Sequence, residues 1–106
     1  MNIVYESNTH LKKFFHHYAK HNAIIRNDIS NRLIKLVEEN SHKIKTAGKM
    51  RYKSHRILEY KIVLDKDIFC RVAFTVVENT IHIIFISDKI RKNVYYALLA
   101  KTDIID

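Results

Sequence analysis

The spacing of apolar residues changes near the middle of this chain, and that change restricts how it can fold. Up to about residue 40, apolar residues recur every three or four positions, as on one face of a helix. From about residue 56 they alternate with polar residues, as in strands that bury one face. Helical segments followed by strands predict an α+β domain in which helices cover one face of a mostly antiparallel sheet.

The predicted elements follow the order β-α-α-β-β-β-α. A short strand at residues 2–6 precedes a helix that Ser7, Asn8 or Thr9 can cap and that ends near His21. The remaining predicted elements are a helix over residues 23–40, strands over 56–64, 68–77 and 80–87, and a helix over 90–101. Together they predict a single domain over residues 1–106, with a helical hairpin packed on one face of a small sheet.

Residues 41–55 break both periods and contain the only glycine, Gly48, so we predict a loop there. This segment is basic and has no acidic residue. Its candidate RNA or phosphate contacts are Lys43, Lys45, Lys49, Arg51 and Lys53.

The net charge is the property of composition that bears most on function. The 106 residues include 19 Lys plus Arg and 11 Asp plus Glu, which gives a net charge of +8. This excess favours a polyanionic partner: nucleic acid, an acidic protein or an anionic membrane surface. A hydrophobic content of 47% excludes general disorder. No signal peptide and no apolar stretch near the ~20 residues of a membrane span are evident, so we expect a cytoplasmic protein without membrane association.

Pairing the three predicted strands brings two cations together. A turn about Lys66 places Lys61 directly opposite Arg71. A turn at residues 78–79 places Arg71 opposite Ile86 on the next strand. Because like charges facing each other across a ladder are destabilising, this pair requires a compensating negative charge.

The two pairings also divide the strand residues between two faces. One face is apolar and is expected to pack against the helices; it carries Leu58, Tyr60, Ile62, Leu64, Cys70, Val72, Phe74, Val76, Ile81, Ile83 and Phe85. The opposite face is mixed and carries Glu59, Lys61, Val63, Arg71, Ala73, Thr75, His82, Ile84 and Ile86. In one interpretation Glu59 screens the two cations on a solvated face. In the other interpretation, which we favour, Lys61 and Arg71 are joined by Lys89, Arg91 and Lys92 around a bound phosphate.

Other chemical signals are weaker. His17 and His21 lie four residues apart on a helix, but no carboxylate or cysteine accompanies them, so we expect a solvated helix face and no metal. His82 lies too far along its strand from Arg71 to exchange a proton there. Cys70 is expected to be a small buried residue.

Four stretches of the second half carry a family resemblance: residues 59–62 (EYKI), 70–74 (CRVAF), 83–87 (IIFIS) and 88–95 (DKIRKNVY). A Tyr-Lys-Ile strand, an Arg-Val strand, an Ile-Ser strand end and a Val-Tyr pair on the last helix are similar to the RelE branch of the RelE/ParE superfamily. Its members are toxins of bacterial toxin–antitoxin modules. Val63 and Lys89 depart from the pattern, which has Lys and Arg there.

The resemblance implies a metal-independent endoribonuclease, without cofactor, that cuts messenger RNA in the ribosomal A site by attack of a ribose 2′-hydroxyl on the adjacent phosphate. It implies that Lys61 activates the nucleophile or stabilises charge and that Arg71 binds the scissile phosphate. Lys89 or Arg91 would stabilise the transition state, and Tyr95 would stack on a base and share proton transfer. Lys92 and Tyr96 are further candidate RNA contacts.

The resemblance also implies a cognate antitoxin that binds the toxin in a hetero-oligomer. Two other functions stay open at this point. One is that of the ParE-like branch, which inhibits DNA gyrase without cutting nucleic acid. The other is a basic nucleic-acid-binding domain without catalytic activity.

Overall fold

The computed structural model describes residues 1–89 and 91–106. The strands are β1 (Asn2–Tyr5), β2 (Lys45–Tyr52), β3 (His55–Asp65), β4 (Ile68–Val77) and β5 (Thr80–Ser87). The α-helices are α1 (Thr9–His17), α2 (Asn22–Asp28), α3 (Ile34–Glu38) and α4 (Lys92–Ala100). A 3-10 turn (Ala19–His21) precedes α2, and a π-helical turn (Ile29–Leu33) joins α2 to α3 without a break.

The five strands form one mixed sheet in the order β1-β5-β4-β3-β2. β1 runs parallel to β5, and the other neighbouring strands are antiparallel. The predicted α+β class and mostly antiparallel sheet are therefore confirmed. Residue 90, where the last helix was predicted to start, lies outside the described residues. None of the helices in the described part of the chain is long and apolar enough to cross a membrane.

The strand β2 occupies the segment predicted to be a loop, so the predicted element order is one strand short. β2 pairs with β3, but their register shifts between Thr46 and Arg51. Within this irregular stretch Gly48 has a φ of 59°, and Ala47 is fully buried. A bulge of this kind interrupts the alternation of side chains along a strand. The loop prediction is wrong because that alternation was the signal on which it depended.

The pairing of β4 with β5 agrees with the prediction only in part. Phe74 lies opposite Ile83, as expected. The register then shifts, and Arg71 lies opposite Ser87 rather than Ile86. The predicted pairing of Arg71 with Ile86 is therefore wrong.

The shift on β5 also exchanges the faces of two apolar side chains. Ile84 is the extra residue of the bulge, and a single inserted residue reverses the faces that follow it. Phe85 consequently packs on the side of the sheet that faces α4, and Ile86 on the side that faces the helical hairpin. Both were assigned to the opposite faces by uninterrupted alternation.

Each face of the sheet has its own apolar cluster. The helix-side core lies under α1, α2 and α3, which confirms the predicted hairpin on one face; its buried members are Leu11, Phe14, Ile25, Ile29, Leu33, Leu36, Tyr60, Ile62, Leu64, Cys70, Val72, Phe74, Ile81, Ile83 and Ile86. The α4-side core comprises Ala47, Ile57, Ala73, Ile84, Phe85, Tyr95 and Leu99. The middle of the face predicted to be an open site is thus covered by α4.

Cys70 has no exposed surface, as predicted, and burial raises the pKa of its thiol from 9.0 to about 12. We therefore expect the folded protein to resist iodoacetamide at pH 8 and the denatured protein to react fully, as measured by mass spectrometry. Alkylation of the folded protein at the rate of an exposed thiol would contradict the expected protection.

The same thiol should make the stability of the protein depend on pH. Because the thiol ionises only in the unfolded chain between pH 9 and 12, its contribution to stability is lost over that range as the pH rises. In Cys70→Ala the free energy of unfolding should therefore change less with pH over this range.

Candidate nucleic-acid-binding face and its buried ion pair

Lys61 and Arg71 lie opposite each other, as predicted, but their side chains occupy different environments. The Arg71 side chain is only 12% exposed, and its Nη1 donates a hydrogen bond to Oε2 of Glu59. Lys61 is exposed, with its Nζ 5.2 Å from the centre of the Phe69 ring. Glu59 therefore compensates the charge of Arg71, one of the two facing cations.

Glu59 is the residue whose role the sequence least revealed. One of the two interpretations of this face had Glu59 screening the cations in solvent; Glu59 does pair with Arg71, but it is fully buried on the side of the sheet that carries α4. Its Oε1 has no hydrogen-bond partner within residues 1–89 and 91–106. A buried carboxylate is costly unless a cation lies beside it, so Glu59 and Arg71 depend on each other.

Tyr95 belongs to the α4-side core and has no exposed surface. Its ring centre lies 5.8 Å from the guanidinium carbon of Arg71, and its hydroxyl has no hydrogen-bond partner among the described residues. Burial, and then the negative charge of Glu59, raise the pKa of the Tyr95 hydroxyl well above 10.0, so it stays protonated. In this conformation the hydroxyl expected to assist a substrate is enclosed.

Tyr96 is partly buried and ties α4 to the sheet. Its hydroxyl donates a hydrogen bond of 2.9 Å to the carbonyl of Thr46 on β2. Burial and the charge of Glu59 raise the pKa of the Tyr96 hydroxyl. This predicted RNA contact is thus engaged in holding α4 against the sheet.

The predicted basic segment after β5 is exposed at Lys89, Arg91 and Lys92. The Lys89 amide donates to the hydroxyl oxygen of Ser87 at 3.1 Å, and Ser87 lies opposite Arg71. The segment therefore begins at the same end of the sheet as the two facing cations. The α4 helix follows directly, with Arg91 as its extended N-cap residue.

A cavity of about 540 Å³ lies beside β3 and is called the edge groove below; it is lined by Asp28, Arg32, Lys43, Tyr60, Lys61 and Val63. Arg32 donates from Nη2 to the carbonyl of Lys61 at 2.9 Å and from Nε to Asp28 at 3.0 Å. Sequence reasoning missed Arg32, although its spacing of four residues from Asp28 is typical of a helical ion pair. The groove thus presents three cations and one carboxylate to solvent.

The five basic residues predicted in the 41–55 segment are all exposed, but the structure separates them into two groups. Lys43 lines the edge groove, and Lys45 lies opposite Glu59 near it. Lys49, Arg51 and Lys53 lie towards the other end of β2. A second cavity, of about 610 Å³, is lined there by Lys49, Met50, Arg51, Ser54, Ile105 and Asp106.

His82 lies opposite Thr75, as predicted, well away from the Arg71 end of β4. Its Nδ1 is 3.5 Å from Oε2 of Glu6, whose other oxygen accepts a hydrogen bond of 2.8 Å from Tyr52. This cluster links the two edges of the sheet. Among the residues that the structure describes, no group of three or more His, Cys, Asp or Glu side chains is arranged to hold a metal ion.

No protein-family model matches the chain, and neither a curated protein nor a solved structure is significantly similar to it.

Proposed function

We propose that this chain is the toxin of a toxin–antitoxin module and acts as a RelE-type, ribosome-dependent endoribonuclease that inhibits translation. The observation that carries the proposal is the pairing of β3, β4 and β5 at the end of the sheet that contains Arg71. Lys61 faces Arg71, and Arg71 faces the strand end that leads into Lys89 and Arg91. These residues occupy the motif positions to which the family resemblance assigns phosphate chemistry.

The proposed reaction needs positive charge more than any other chemical group. The oxygen of a ribose 2′-hydroxyl attacks the adjacent phosphorus and gives up its proton, and the bond from phosphorus to the 5′-oxygen breaks. The leaving 5′-oxygen takes up a proton in return, and a 2′,3′-cyclic phosphate forms with no net change in protons. Negative charge grows on the phosphorane-like transition state, so fixed cations stabilise it more than they stabilise the substrate. Lys61 and Lys89 are exposed and can contact the phosphate directly. Arg71 shares its charge with Glu59 and offers only its exposed edge.

The remaining basic surface suits the binding of ribosome-held RNA and of an antitoxin. We propose that messenger RNA lies along the edge groove and the 89–92 segment. An acidic or amphipathic segment of the antitoxin would cover the same cations in a hetero-oligomer. Tyr95 would stack on a base only after α4 moves away from the sheet, because its side chain is enclosed in the α4-side core.

A second candidate is a domain that binds RNA without cutting it. The burial of Tyr95 and the pairing of Arg71 with Glu59 favour this alternative, since both withdraw proposed catalytic groups from a substrate. The basic surface would still bind RNA through its phosphates.

The proposal is tested by inducing the protein in growing bacteria and mapping the 5′ ends of transcripts. We expect cuts in phase with codons, reduced about 100-fold by Lys61→Ala or Lys89→Ala, since single charged groups at a transition state contribute effects of that order. Lys66→Ala is the matched control, because Lys66 is exposed in the β3–β4 turn and carries the same charge. Growth arrest with intact messages would favour the non-cutting binder. Intact messages with DNA-damage signalling would favour gyrase inhibition.

The antitoxin is tested separately by co-expressing the chain with the neighbouring reading frame. We expect the two products to co-purify and growth to recover. Absence of both a complex and a recovery of growth would refute the partner while leaving the cleavage test unaffected.

A further inference from the structure

The turn between β2 and β3 holds a carboxylate with two backbone amides. The amide of Lys53 donates to Oδ1 of Asp106 at 2.8 Å, and the amide of Ser54 donates to Oδ2 at 2.6 Å. The amide of Asp106 in turn donates to the carbonyl of Arg51 at 2.9 Å. Each oxygen of one carboxylate therefore has its own amide donor.

The backbone of this turn explains why an anion is held there. Lys53 and Ser54 both have left-handed conformations, with φ values of 47° and 70°. Consecutive residues with positive φ are typical of tight hairpin turns, in which Asn-Gly is preferred because other residues adopt this conformation at a cost. Amides that converge in such a turn form a concave site for anions. The bound carboxylate offsets part of the cost of placing Lys and Ser here.

The side chains around the turn add positive charge. Lys49, Arg51 and Lys53 are all exposed, and the first two line the same cavity as Asp106. Lys53 forms an ion pair with Glu6, at 3.8 Å. Among the residues that the structure describes, Lys49 and Arg51 form none. The charge of Lys49 and Arg51 is therefore open to an anion from outside.

We propose that the amides of Lys53 and Ser54, together with Lys49 and Arg51, form a binding site for a backbone phosphate of RNA. The Asp106 carboxylate then stands in for two phosphate oxygens and acts as an internal competitor. The inference rests on the proposed function only for the identity of the polyanion. It makes the Asp106 side chain an autoinhibitory contact, since RNA must displace this carboxylate to reach the two amides.

The competition predicts that Asp106→Ala strengthens RNA binding about tenfold, the effect expected when two charge-assisted hydrogen bonds no longer have to be displaced. Binding is measured by fluorescence anisotropy with a short labelled oligoribonucleotide and the full chain. Glu38→Ala is the matched control, because it removes one exposed negative charge from α3, away from the turn. An equal gain in both variants would overturn the proposal and assign the effect to net charge.

Adding Arg51→Ala to Asp106→Ala should return RNA affinity to about the level of the original chain, since one of the proposed phosphate contacts is lost. If Asp106→Ala fails to fold, Asp106→Asn keeps one oxygen acceptor at the turn and should give a smaller gain. No gain in a folded Asp106→Asn would count against the competition.

Inorganic phosphate tests the site independently of any RNA function. In Asp106→Ala, NMR spectra should show the amide resonances of Lys53 and Ser54 shifting as phosphate is added. The original chain should need a several-fold higher phosphate concentration. Shifts in Asp106→Ala would support the site even if no RNA were cut, whereas their absence would overturn it even if cleavage were found.

Discussion

Replacing Glu59 with Ala is expected to lower the free energy of unfolding by about 3–5 kcal/mol, the cost typical of breaking one side of a buried ion pair. Glu59 is fully buried, and its carboxylate accepts a hydrogen bond from Arg71. Without it, the guanidinium charge stays under α4 and loses the carboxylate that offsets its desolvation. Urea denaturation at neutral pH measures the effect.

The double variant Glu59→Met with Arg71→Met is the informative control. Removing both charges removes the unfavourable desolvation along with the attraction, so the double variant should be closer in stability to the original chain than Glu59→Ala is. If Glu59→Ala lowered the free energy of unfolding by less than about 1 kcal/mol, the expectation would be wrong, because a loss that small is typical of an ion pair exposed to solvent.

This dependence changes how activity measurements at Arg71 must be interpreted. Arg71→Ala leaves the carboxylate of Glu59 buried beside the α4-side core, and we expect a loss of stability as well as of any phosphate contact. Lys61→Ala and Lys89→Ala are better tests of chemistry, because both side chains are exposed and neither lies in an apolar cluster.

Truncating Tyr95 to Ala is expected to cost about 3–5 kcal/mol, because a large side chain leaves a cavity in a packed core. Tyr95 is fully buried and packs with Phe85 and Leu99 under the sheet. Tyr95→Phe should instead keep the stability of the original chain or raise it by up to about 1 kcal/mol, since the hydroxyl has no hydrogen-bond partner among the described residues. Thermal and urea unfolding of the two variants measure the difference.

The variant Tyr95→Phe also tests whether the Tyr95 hydroxyl takes part in the proposed cleavage. The hydroxyl is enclosed and protonated, so under the proposed function we expect Tyr95→Phe to retain cleavage of messenger RNA within a few-fold of the unsubstituted chain. A folded Tyr95→Phe that had lost cleavage about 100-fold would show that RNA reaches the hydroxyl, which requires α4 to leave the sheet.

The fold was predictable wherever side-chain alternation ran without interruption. The register that sets Lys61 opposite Arg71 follows from such a stretch, and so does the burial of Cys70. The strand β2 and the faces of Phe85 and Ile86 were not predictable in this way. In both places a bulge shifts the register, and its position depends on the neighbouring strand rather than on the local sequence.

The positions of the charged residues in the candidate site were predictable from the sequence, but their burial was not. The exposed cations Lys61, Lys89 and Arg91 lie at one end of the sheet, as the strand order implies. The burial of Glu59 and the enclosure of Tyr95 depend on α4, which crosses the face that was expected to stay open. Pairing rules within strands contain no information about where a later helix packs.

By itself, the sequence determined the α+β class, the helical hairpin, the facing pair on β3 and β4, and an excess of positive charge. These properties depend on residues two to four positions apart or directly across one hairpin, and short-range periodicity encodes them. Only the tertiary structure decided which cations reach solvent and which are neutralised. That outcome depends on contacts between distant segments: α4 over Glu59 and Arg71, and Asp106 on the amides of the β2–β3 turn.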